Sequence, residues 1–544
     1  MKIETIKKNI LMKLVILVVV LCLVGITFVS SLSHTVDYSN SDYFTDDKDT
    51  RIHNSNGNYY EATGAKLQDA IDDLGSNTGT VDTPNATIDF LTTIWVNNSN
   101  ISIISHGTTF RASVSLPTTG ILIIRGDDCL VDGVHFDGNH DWPNNLAQSH
   151  GIYLGDQNTP HYRNRVTNCY FENISGNGVE VYRQFGSDID HNTFRNMGNF
   201  TSNTQSGCAV KIQPVNGGSF NMTIAFNDIG RTKEHGIKIY GDGHDSTVRH
   251  NNKIIYNDFS DIGNYDLTHG HIGVIQLYSY GDFAIGNTMT LDGWAQSAIM
   301  VDGANNTIDD NIIHMLNGDE HTRYGIGALT GSRFNEVIGN TIYGDAVASD
   351  VGILIIGDNH FIYNNFVYSV NAEGIKLQTA TNCTVDRNFV TGCTDNIWVG
   401  TSSFYNTIRN NIVRNATDDG IDETSSGNYN FITGNDVRFN TITGDKAIEH
   451  DGVNSIVNNN MGHTTENVGL ATVTSGSVSL VVNHNCSITP FTIQLTPRGN
   501  LSGAGCDNGW WADTITATQF TIHVSCASGT LTSDIAFSWR ADYN

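Results

Sequence analysis

The sequence predicts an all-β protein built as a right-handed parallel β-helix of about 12 coils, with an N-terminal capping helix and a small C-terminal β-sandwich. An asparagine returns through the central part of the chain, most often every 24 residues. An apolar or aromatic residue follows two positions after each one, and each coil also carries a glycine followed by a short alternating run. The recurring asparagines are Asn168, Asn192, Asn227, Asn257, Asn287, Asn311, Asn340, Asn364, Asn388, Asn411, Asn435 and Asn459.

Each asparagine predicts a sharp corner between two short strands, because Asn tolerates left-handed backbone geometry better than other residues with side chains. The alternating runs, such as Gly178 to Val181 and Gly236 to Ile239, predict strands with one face in the core and one face outside. A leucine-rich repeat has a similar period. It fits poorly here, because the recurring apolar residues are Ile, Val and Phe and no helical stretch occurs within a coil.

Residues 65–75 predict the capping helix. Leu67, Ala70, Ile71 and Leu74 share one face, and Gly75 ends the segment. A solenoid end without a cover would expose both its core and its strand edges, so an amphipathic helix at this position is expected to close it.

These features together resemble the pectin-lyase-like superfamily of right-handed parallel β-helix proteins, over roughly residues 60 to 466. The superfamily includes lyases, hydrolases, epimerases, phage tailspikes and non-catalytic surface proteins, so the resemblance implies an architecture and leaves the chemistry open. The motif series of polygalacturonase-type hydrolases is absent, and so is the Tyr-Gly-Phe-Asp-Pro-His signature of alginate epimerases.

The sequence divides into four segments. Residues 1–33 combine early lysines with an apolar run from Leu14 to Val29, which predicts a signal peptide or a retained membrane anchor. Residues 34–60 are polar and have no period, as in a linker, and residues 61–466 form the β-helix. Residues 467–544 show new alternations and three tryptophans, which predict a β-sandwich that binds a ligand, contacts another subunit to form an oligomer, or closes the solenoid.

Composition limits the partners. The net charge of -27 excludes nucleic acid, because phosphate binding needs a basic surface. We expect an extracellular or cell-surface protein that contacts a membrane only through an uncleaved N-terminal segment. Of the cysteines, Cys169 takes the place of an inward apolar residue and predicts a buried thiol, whereas Cys526 can pair with Cys506 or with Cys486.

The spacing of the asparagines also predicts where a site lies. It widens to 35, 30 and 30 residues between Asn192 and Asn287, so extra residues must leave the cylinder there as loops. Ten of the 20 histidines fall between His135 and His271. Both observations place the candidate site in the N-terminal half of the solenoid.

Stacking the glycine-led strands places their outward residues in two columns. Charged and polar residues beside aromatic ones suit a groove for a sugar chain. The predicted substrate-binding residues are Glu180, Tyr182, Gln213, Tyr240, Gln276 and Tyr278. The first column is Tyr153, Glu180, Lys211, Lys238, Gln276 and Met300, and the second is Tyr182, Gln213, Tyr240, Tyr278 and Asp302.

A lyase or epimerase acting on an acidic glycan needs a base for the proton beside the carboxylate and a positive group that neutralises that carboxylate. The sequence offers one set of candidates for these catalytic roles: Lys211, Lys238, Arg249, His235 and His271. No cofactor is required, although Ca²⁺ could neutralise the carboxylate through Asp242 and Asp245.

Two functions stay open. One is a secreted or surface-exposed β-helix protein that binds an acidic polysaccharide and also cleaves or epimerises it. The other is a non-catalytic, adhesin-like structural protein of the cell surface.

Overall fold

The computed structural model describes residues 50–542, except 115, 117–119, 140–149, 199–206, 214–217, 241–249, 264–272, 292–294, 317–321, 346–349, 441–445, 464–465, 485, 487–488, 499–508, 517 and 528. The predicted export segment lies outside these residues, so its cleavage or retention stays a prediction. Within the described part of the chain, no helix has the length and apolar character needed to cross a bilayer.

Each coil of the solenoid supplies one strand to each of three parallel sheets, which confirms the predicted fold. Sheet 1 carries the candidate site. Its strands are Ile94–Val96, Gly120–Ile124, His150–Leu154, Val179–Val181, Val210–Ile212, Ile237–Tyr240, Gly273–Tyr278, Ser297–Val301, Tyr324–Ala328, Val351–Asp358, Ile375–Thr381, Ile397–Val399, Ile421–Glu423 and Ile448–His450.

Sheet 2 follows sheet 1 along the chain. Its strands are Ile52–Asn54, Tyr59–Tyr60, Gly79–Thr83, Ile101–Ser105, Leu130–Asp132, Arg165–Thr167, Asp188–Asp190, Thr223–Ala225, Lys253–Ile255, Phe283–Ile285, Thr307–Asp309, Glu336–Ile338, Phe361–Tyr363, Thr384–Asp386, Thr407–Arg409, Phe431–Thr433 and Ile456–Asn458. The first two strands pair antiparallel, so residues 52–60, which the sequence places in a linker, belong to the folded domain.

Sheet 3 completes each coil. Its strands are Thr87–Phe90, Thr109–Ala112, His135–Asp137, Tyr170–Glu172, Thr193–Met197, Asp228–Thr232, Asp258–Ile262, Thr288–Leu291, Ile312–Met315, Thr341–Gly344, Phe366–Tyr368, Phe389–Thr391, Ile412–Arg414 and Asp436–Phe439. Two further short strands, His161–Tyr162 and Gln184–Phe185, pair in parallel at a corner.

Helix α1, Gly64–Asp72, is the one helix of the described residues. Thr63 caps it by accepting a hydrogen bond from the Lys66 N–H. Its predicted apolar face is buried from Leu67 to Leu74 and packs in the same core cluster as the first strands. The predicted helix is therefore present and lies against the N-terminal end of the core.

Inward side chains of successive coils stack in columns. The Phe136 ring lies 5.6 Å from Phe110 and 4.8 Å from Phe171, which lies 4.7 Å from Phe194. All four rings are fully buried, and Ile229 takes the same position in the next coil. The apolar residue two positions after the asparagine thus lies in the core at nine of the twelve positions, whereas Tyr170, Phe366 and Met461 are exposed.

The asparagines themselves have a different role from the predicted one. In nine of the twelve positions the left-handed residue is the one just before the asparagine, as at Tyr256 before Asn257 and Arg387 before Asn388. Only Asn168, Asn364 and Asn459 occupy the left-handed corner. The prediction that each recurring asparagine forms the corner is therefore wrong for the other nine.

Those nine asparagines, with Asn365 and Asn460, form a buried ladder. The Asn311 backbone N–H and its Nδ2 donate to Asn340 Oδ1 at 3.0 and 2.9 Å, and Nδ2 also donates to the Ala284 carbonyl at 2.8 Å. The backbone turns sharply at this corner, so its polar groups cannot all pair within a sheet, and the amide satisfies them instead.

A second ladder follows another corner. Asn252, Asn306 and Asn335 repeat the arrangement, but one position between them is Asp282, whose Oδ1 accepts from the Asn252 N–H at 2.8 Å. The Ser279 hydroxyl donates a hydrogen bond to the other carboxylate oxygen of Asp282, Oδ2. The sequence analysis did not predict this second ladder.

The C-terminal residues form two antiparallel three-stranded sheets. One contains Glu466–Val473, Ile535–Asp542 and Thr492–Pro497, and the other contains Ser479–Asn483, Gln519–Val524 and Trp510–Asp513. They enclose a separate core that includes Phe520, Phe537 and Trp539. The exact domain boundary between this module and the solenoid stays a prediction.

The cysteines also follow the prediction in part. Cys169 is a buried free thiol at the start of the asparagine ladder, where its N–H donates to Asn192 Oδ1. Cys526 is disulfide-bonded and Cys486 is a free thiol, which excludes a bond between these two. Cys506 lies outside the described residues.

Candidate functional site

Sheet 1 aligns the first predicted column. Glu180 pairs in register with Tyr153 on one side and Lys211 on the other, and Lys238 pairs with Lys211 and with Gln276. Met300 follows Gln276 in the next coil. The unusual spacing before Lys211 does not shift its register, because Ala209 rather than Gly207 matches Gly178 of the preceding coil.

Three residues of the second column are tyrosines. Tyr240 and Tyr278 pair in register, and their rings are nearly parallel, with centroids 5.4 Å apart and an interplanar angle of 7°. The Tyr182 ring stacks on Tyr153 at 4.5 Å. Because these rings cover one another, they present edges and hydroxyl groups rather than open faces.

Several outward residues are covered. Glu180 is 4% exposed, Gln276 1% and Met300 0%, whereas Lys211, Lys238 and the two stacked tyrosines stay half-buried. An outward position in the first column therefore does not by itself expose a side chain to solvent. The accessible part of this face is centred on the two lysines.

Glu180 lies in a hydrogen-bonded pocket. His150 Nε2 is 2.7 Å from Glu180 Oε2, and Gln213 Nε2 and the Tyr182 hydroxyl donate to Oε1. His150 Nδ1 accepts from the Asn177 N–H at 3.0 Å, so the ring proton lies at Nε2, facing the carboxylate.

These contacts keep the Glu180 carboxylate ionised. Burial alone would raise the pKa of Glu180, but the contact with His150, the hydrogen bond from Gln213 and the charge of Lys211 lower it to about 2. Burial and the Glu180 charge raise the pKa of Tyr182. Tyr182 therefore stays a hydrogen-bond donor.

His235 contacts the side chain of Lys238. The Lys238 Nζ is 3.1 Å from His235 Nε2, and His235 Nδ1 is 2.7 Å from the Gly273 carbonyl oxygen. Burial and the charge of Lys238 lower the pKa of His235 to about 3, so its ring is neutral and accepts from the ammonium group. His235 is thus a positioning residue for Lys238.

The tyrosines also hold the lysines. Lys238 Nζ lies 4.6 Å from the Tyr240 ring centroid and 5.9 Å from that of Tyr278, and Lys211 Nζ lies 5.8 Å from that of Tyr240. Such cation–π contacts stabilise an ammonium group on a sheet surface. Two lysines and two tyrosine rings therefore form one patch.

The remaining candidates cannot be placed with this patch. Arg249 and His271, with Asp242 and Asp245 of the predicted calcium loop, lie outside the described residues. Asp302 follows the strand Ser297–Val301, where its N–H donates to the Leu277 carbonyl. Of the predicted catalytic residues, the structure brings together Lys211, Lys238 and His235.

Sequence reasoning missed His150 and a group of acids farther along sheet 1. His150 is the first residue of its strand, one position before the glycine, so only the adjacent coil reveals its contact with Glu180. The acids fall into two groups whose oxygen atoms lie within 4.8 Å of one another and that could hold a metal ion: Asp395, Asp418 and Asp419, and Asp419, Asp422 and Glu449.

Burial raises the pKa of three of these acids. The pKa of Asp395 rises to about 6 and those of Asp419 and Asp422 to about 7, with repulsion from neighbouring carboxylates adding to the effect. Lys446 instead lowers the pKa of Glu449 by a hydrogen bond.

A family model described as a right-handed β-helix region matches residues 119–270 and 297–461. The chain belongs to this right-handed β-helix family. The resemblance inferred from the recurring residues is thereby confirmed, because the family match spans most of the solenoid. No curated protein matches the sequence significantly.

Several solved structures are similar to this chain at low sequence identity. The tailspike of Escherichia coli bacteriophage HK620, solved with a pentasaccharide, is 13% identical, with a TM-score of 0.51 over 88% of this chain and 89% of the tailspike. The Azotobacter vinelandii mannuronan C-5 epimerase AlgE6 A-module is also 13% identical, with a TM-score of 0.37 over 73% of this chain and 94% of the module. An alginate lyase from Paenibacillus sp. is 16% identical, with a TM-score of 0.40 over 52% and 93% of the two chains.

Proposed function

We propose that sheet 1 binds an acidic polysaccharide on the patch formed by Lys211, Lys238, Tyr240 and Tyr278, and that the protein acts outside the cell or on its surface. The observation that carries the proposal is the pairing of two lysines in adjacent coils on a chain with a net charge of -27. Positive charge concentrated against such a background marks a place for an anionic partner.

The geometry suits a carboxylated sugar. Lys238 is fixed between His235 and the two tyrosine rings, so little side-chain entropy is lost when it pairs with a carboxylate. The tyrosines of the same patch carry hydroxyl groups that can bond sugar hydroxyls. The HK620 tailspike, which has the same fold, holds a pentasaccharide, and this supports a sugar as the partner.

The test compares binding of polygalacturonate by the wild type, by Lys211→Ala/Lys238→Ala and by Lys253→Ala. Lys253 is an exposed lysine on sheet 2, and its variant controls for the loss of one positive charge elsewhere on the surface. The double variant should bind about tenfold or more weakly, and its affinity should fall less steeply with added salt. Equal binding by the double variant and the Lys253→Ala control would refute the proposal.

A second candidate function is cleavage or epimerisation of the bound chain. The contact between the Lys238 ammonium group and neutral His235 favours it, because an oriented cation can neutralise the uronate carboxylate and so acidify the adjacent C–H. A lyase releases an unsaturated product that absorbs ultraviolet light, and an epimerase incorporates solvent deuterium without that product. Binding with neither signal supports the non-catalytic, adhesin-like alternative.

A further inference from the structure

The C-terminal module carries an exposed tryptophan in a fixed orientation. Trp511 is 48% exposed, and its ring lies parallel to the His523 ring at 5.1 Å, with an interplanar angle of 12°. Its Nε1–H donates to Asp513 Oδ2 at 3.2 Å, and Asp513 Oδ1 is 2.8 Å from His523 Nε2. Asp513 thus connects the two stacked rings.

Strand pairing places these residues on the outer face of their sheet. Trp511 pairs with His523, and Asp513 pairs with Thr521. The alternate residues of the central strand, Phe520 and Ile522, are buried in the module's core. Because side chains alternate along a strand, Trp511, Asp513, Thr521 and His523 share the opposite, solvent-facing surface.

This arrangement differs from that of an incidental surface aromatic residue. Stacking and a hydrogen bond hold the indole before any ligand arrives, so binding would cost little conformational entropy. A flat apolar ring flanked by hydroxyl, imidazole and carboxylate groups matches a pyranose, which has an apolar C–H face and a polar rim. The neighbouring Val481 is 54% exposed and extends the apolar part of this surface beside Thr521.

Charge restricts the class of sugar. Hydrogen bonds from Thr514, Trp511 and His523 lower the pKa of Asp513, so this carboxylate is ionised at neutral pH. A fixed negative charge beside the ring accepts hydrogen bonds from hydroxyl groups but repels a uronate. The lysine pair of sheet 1 has no counterpart among the residues named on this face.

We propose that the face around Trp511 is a second carbohydrate-binding site, which takes an uncharged glycan chain. It shares no residue with the patch on sheet 1, and its existence does not depend on the function proposed for that patch. One chain would then bind two chemically different polymers, an acidic one on the solenoid and a neutral one on the C-terminal module.

The test uses the full-length protein in native gels that contain galactomannan, xyloglucan or dextran. We expect at least one of these neutral polymers to retard the wild type. Trp511→Ala should weaken that binding about tenfold or more, as expected for a central aromatic contact. Asp513→Ala, which releases the ring without removing it, should weaken binding less.

Two controls separate this site from others. Trp510→Ala removes the adjacent tryptophan on the same strand, which is 39% exposed, and should bind the neutral polymer like the wild type. Lys211→Ala/Lys238→Ala should do the same. The proposal is overturned if none of the three polymers retards the wild type, or if Trp511→Ala is retarded equally. It also fails if light scattering shows that Trp511→Ala converts an oligomer into a monomer, which would make this face a subunit contact.

Discussion

Asn388 and Asn411 occupy the same position in adjacent coils, and Asn388 Nδ2 donates to Asn411 Oδ1 at 3.0 Å. Nδ2 also donates to the Ile362 carbonyl at 2.9 Å, and Asn388 Oδ1 accepts from the Asn365 N–H at 2.9 Å. One buried side chain therefore satisfies two backbone groups of the preceding coil and bonds the Asn411 side chain of the following coil.

Asn388→Ala should lower the free energy of unfolding by about 2–4 kcal/mol, because it leaves a buried N–H and a buried carbonyl without their partner. The control is Arg387→Gly at the neighbouring corner, where φ is 56°. Glycine adopts that geometry without steric cost, so this change should stay within about 1 kcal/mol of the wild type. Urea denaturation measures both, and a larger loss in Arg387→Gly would contradict the ladder account.

Asp282 should make the solenoid sensitive to pH. Burial raises the pKa of Asp282 to about 7, against an ordinary value of 3.8. Its contribution to stability is therefore complete below about pH 3.8 and is lost as the pH rises towards 7, a loss on the order of a few kcal/mol. Asp282→Asn introduces the side chain found at Asn252 and Asn306, and it should make the free energy of unfolding depend less on pH.

Urea denaturation of both proteins at pH 5 and pH 8 measures the effect. The variant should gain stability over the wild type chiefly at pH 8. An identical change between the two pH values in both proteins would show that Asp282 is not the group responsible.

The pair of His150 and Glu180 should stabilise the N-terminal half of sheet 1. His150→Ala removes a hydrogen bond to a buried carboxylate and should cost about 2–3 kcal/mol at pH 7. His191 forms a comparable contact with Asp190 at 3.0 Å, but its side chain is 53% exposed. His191→Ala should therefore lower the free energy of unfolding by less than about 1 kcal/mol. Urea denaturation measures both variants, and a similar loss in the two would show that burial does not strengthen the His150 contact.

Asp422 should destabilise the other end of sheet 1 at high pH. Burial and the charges of Asp395, Asp419 and Glu449 raise the pKa of Asp422 to about 7. Its contribution to stability is present below its ordinary pKa and is lost as the pH rises through 7. Asp422→Asn should thus raise the melting temperature at pH 8 and leave it nearly unchanged at pH 4, and a rise of equal size at both pH values would argue against ionisation as the cause.

The sequence was sufficient for the coil architecture and for the alignment of the lysines. Alternation fixes which residues of a strand point outward, and that pattern places Lys211 beside Lys238 even though an insertion separates them. The recurring asparagines predict the position of the corner to within one residue, because in nine coils the left-handed residue is the one before the asparagine. Asn364 and Asn365 are adjacent, one at the left-handed corner and one in the ladder, and a period alone does not distinguish them.

Burial of the candidate site could not be predicted in the same way. The pattern that places Glu180 and Gln276 on the outer face gives no measure of what covers them. The neutral state of His235 likewise depends first on its burial and then on the charge of Lys238. Burial arises from contacts between distant parts of the chain, such as that with the Gly273 carbonyl of another coil, and repeat spacing carries no information about them.

The asparagine ladder also bears on how such a chain changes length. Asn340, Asn365, Asn388 and Asn411 each meet an identical partner, at separations of 25, 23 and 23 residues. Removing one complete repeat would bring Asn365 against Asn411 with the same donors and acceptors. Gene duplication or loss in units of one coil can therefore lengthen or shorten the protein while its joints stay intact, whereas a change of any other size must be accommodated in a loop.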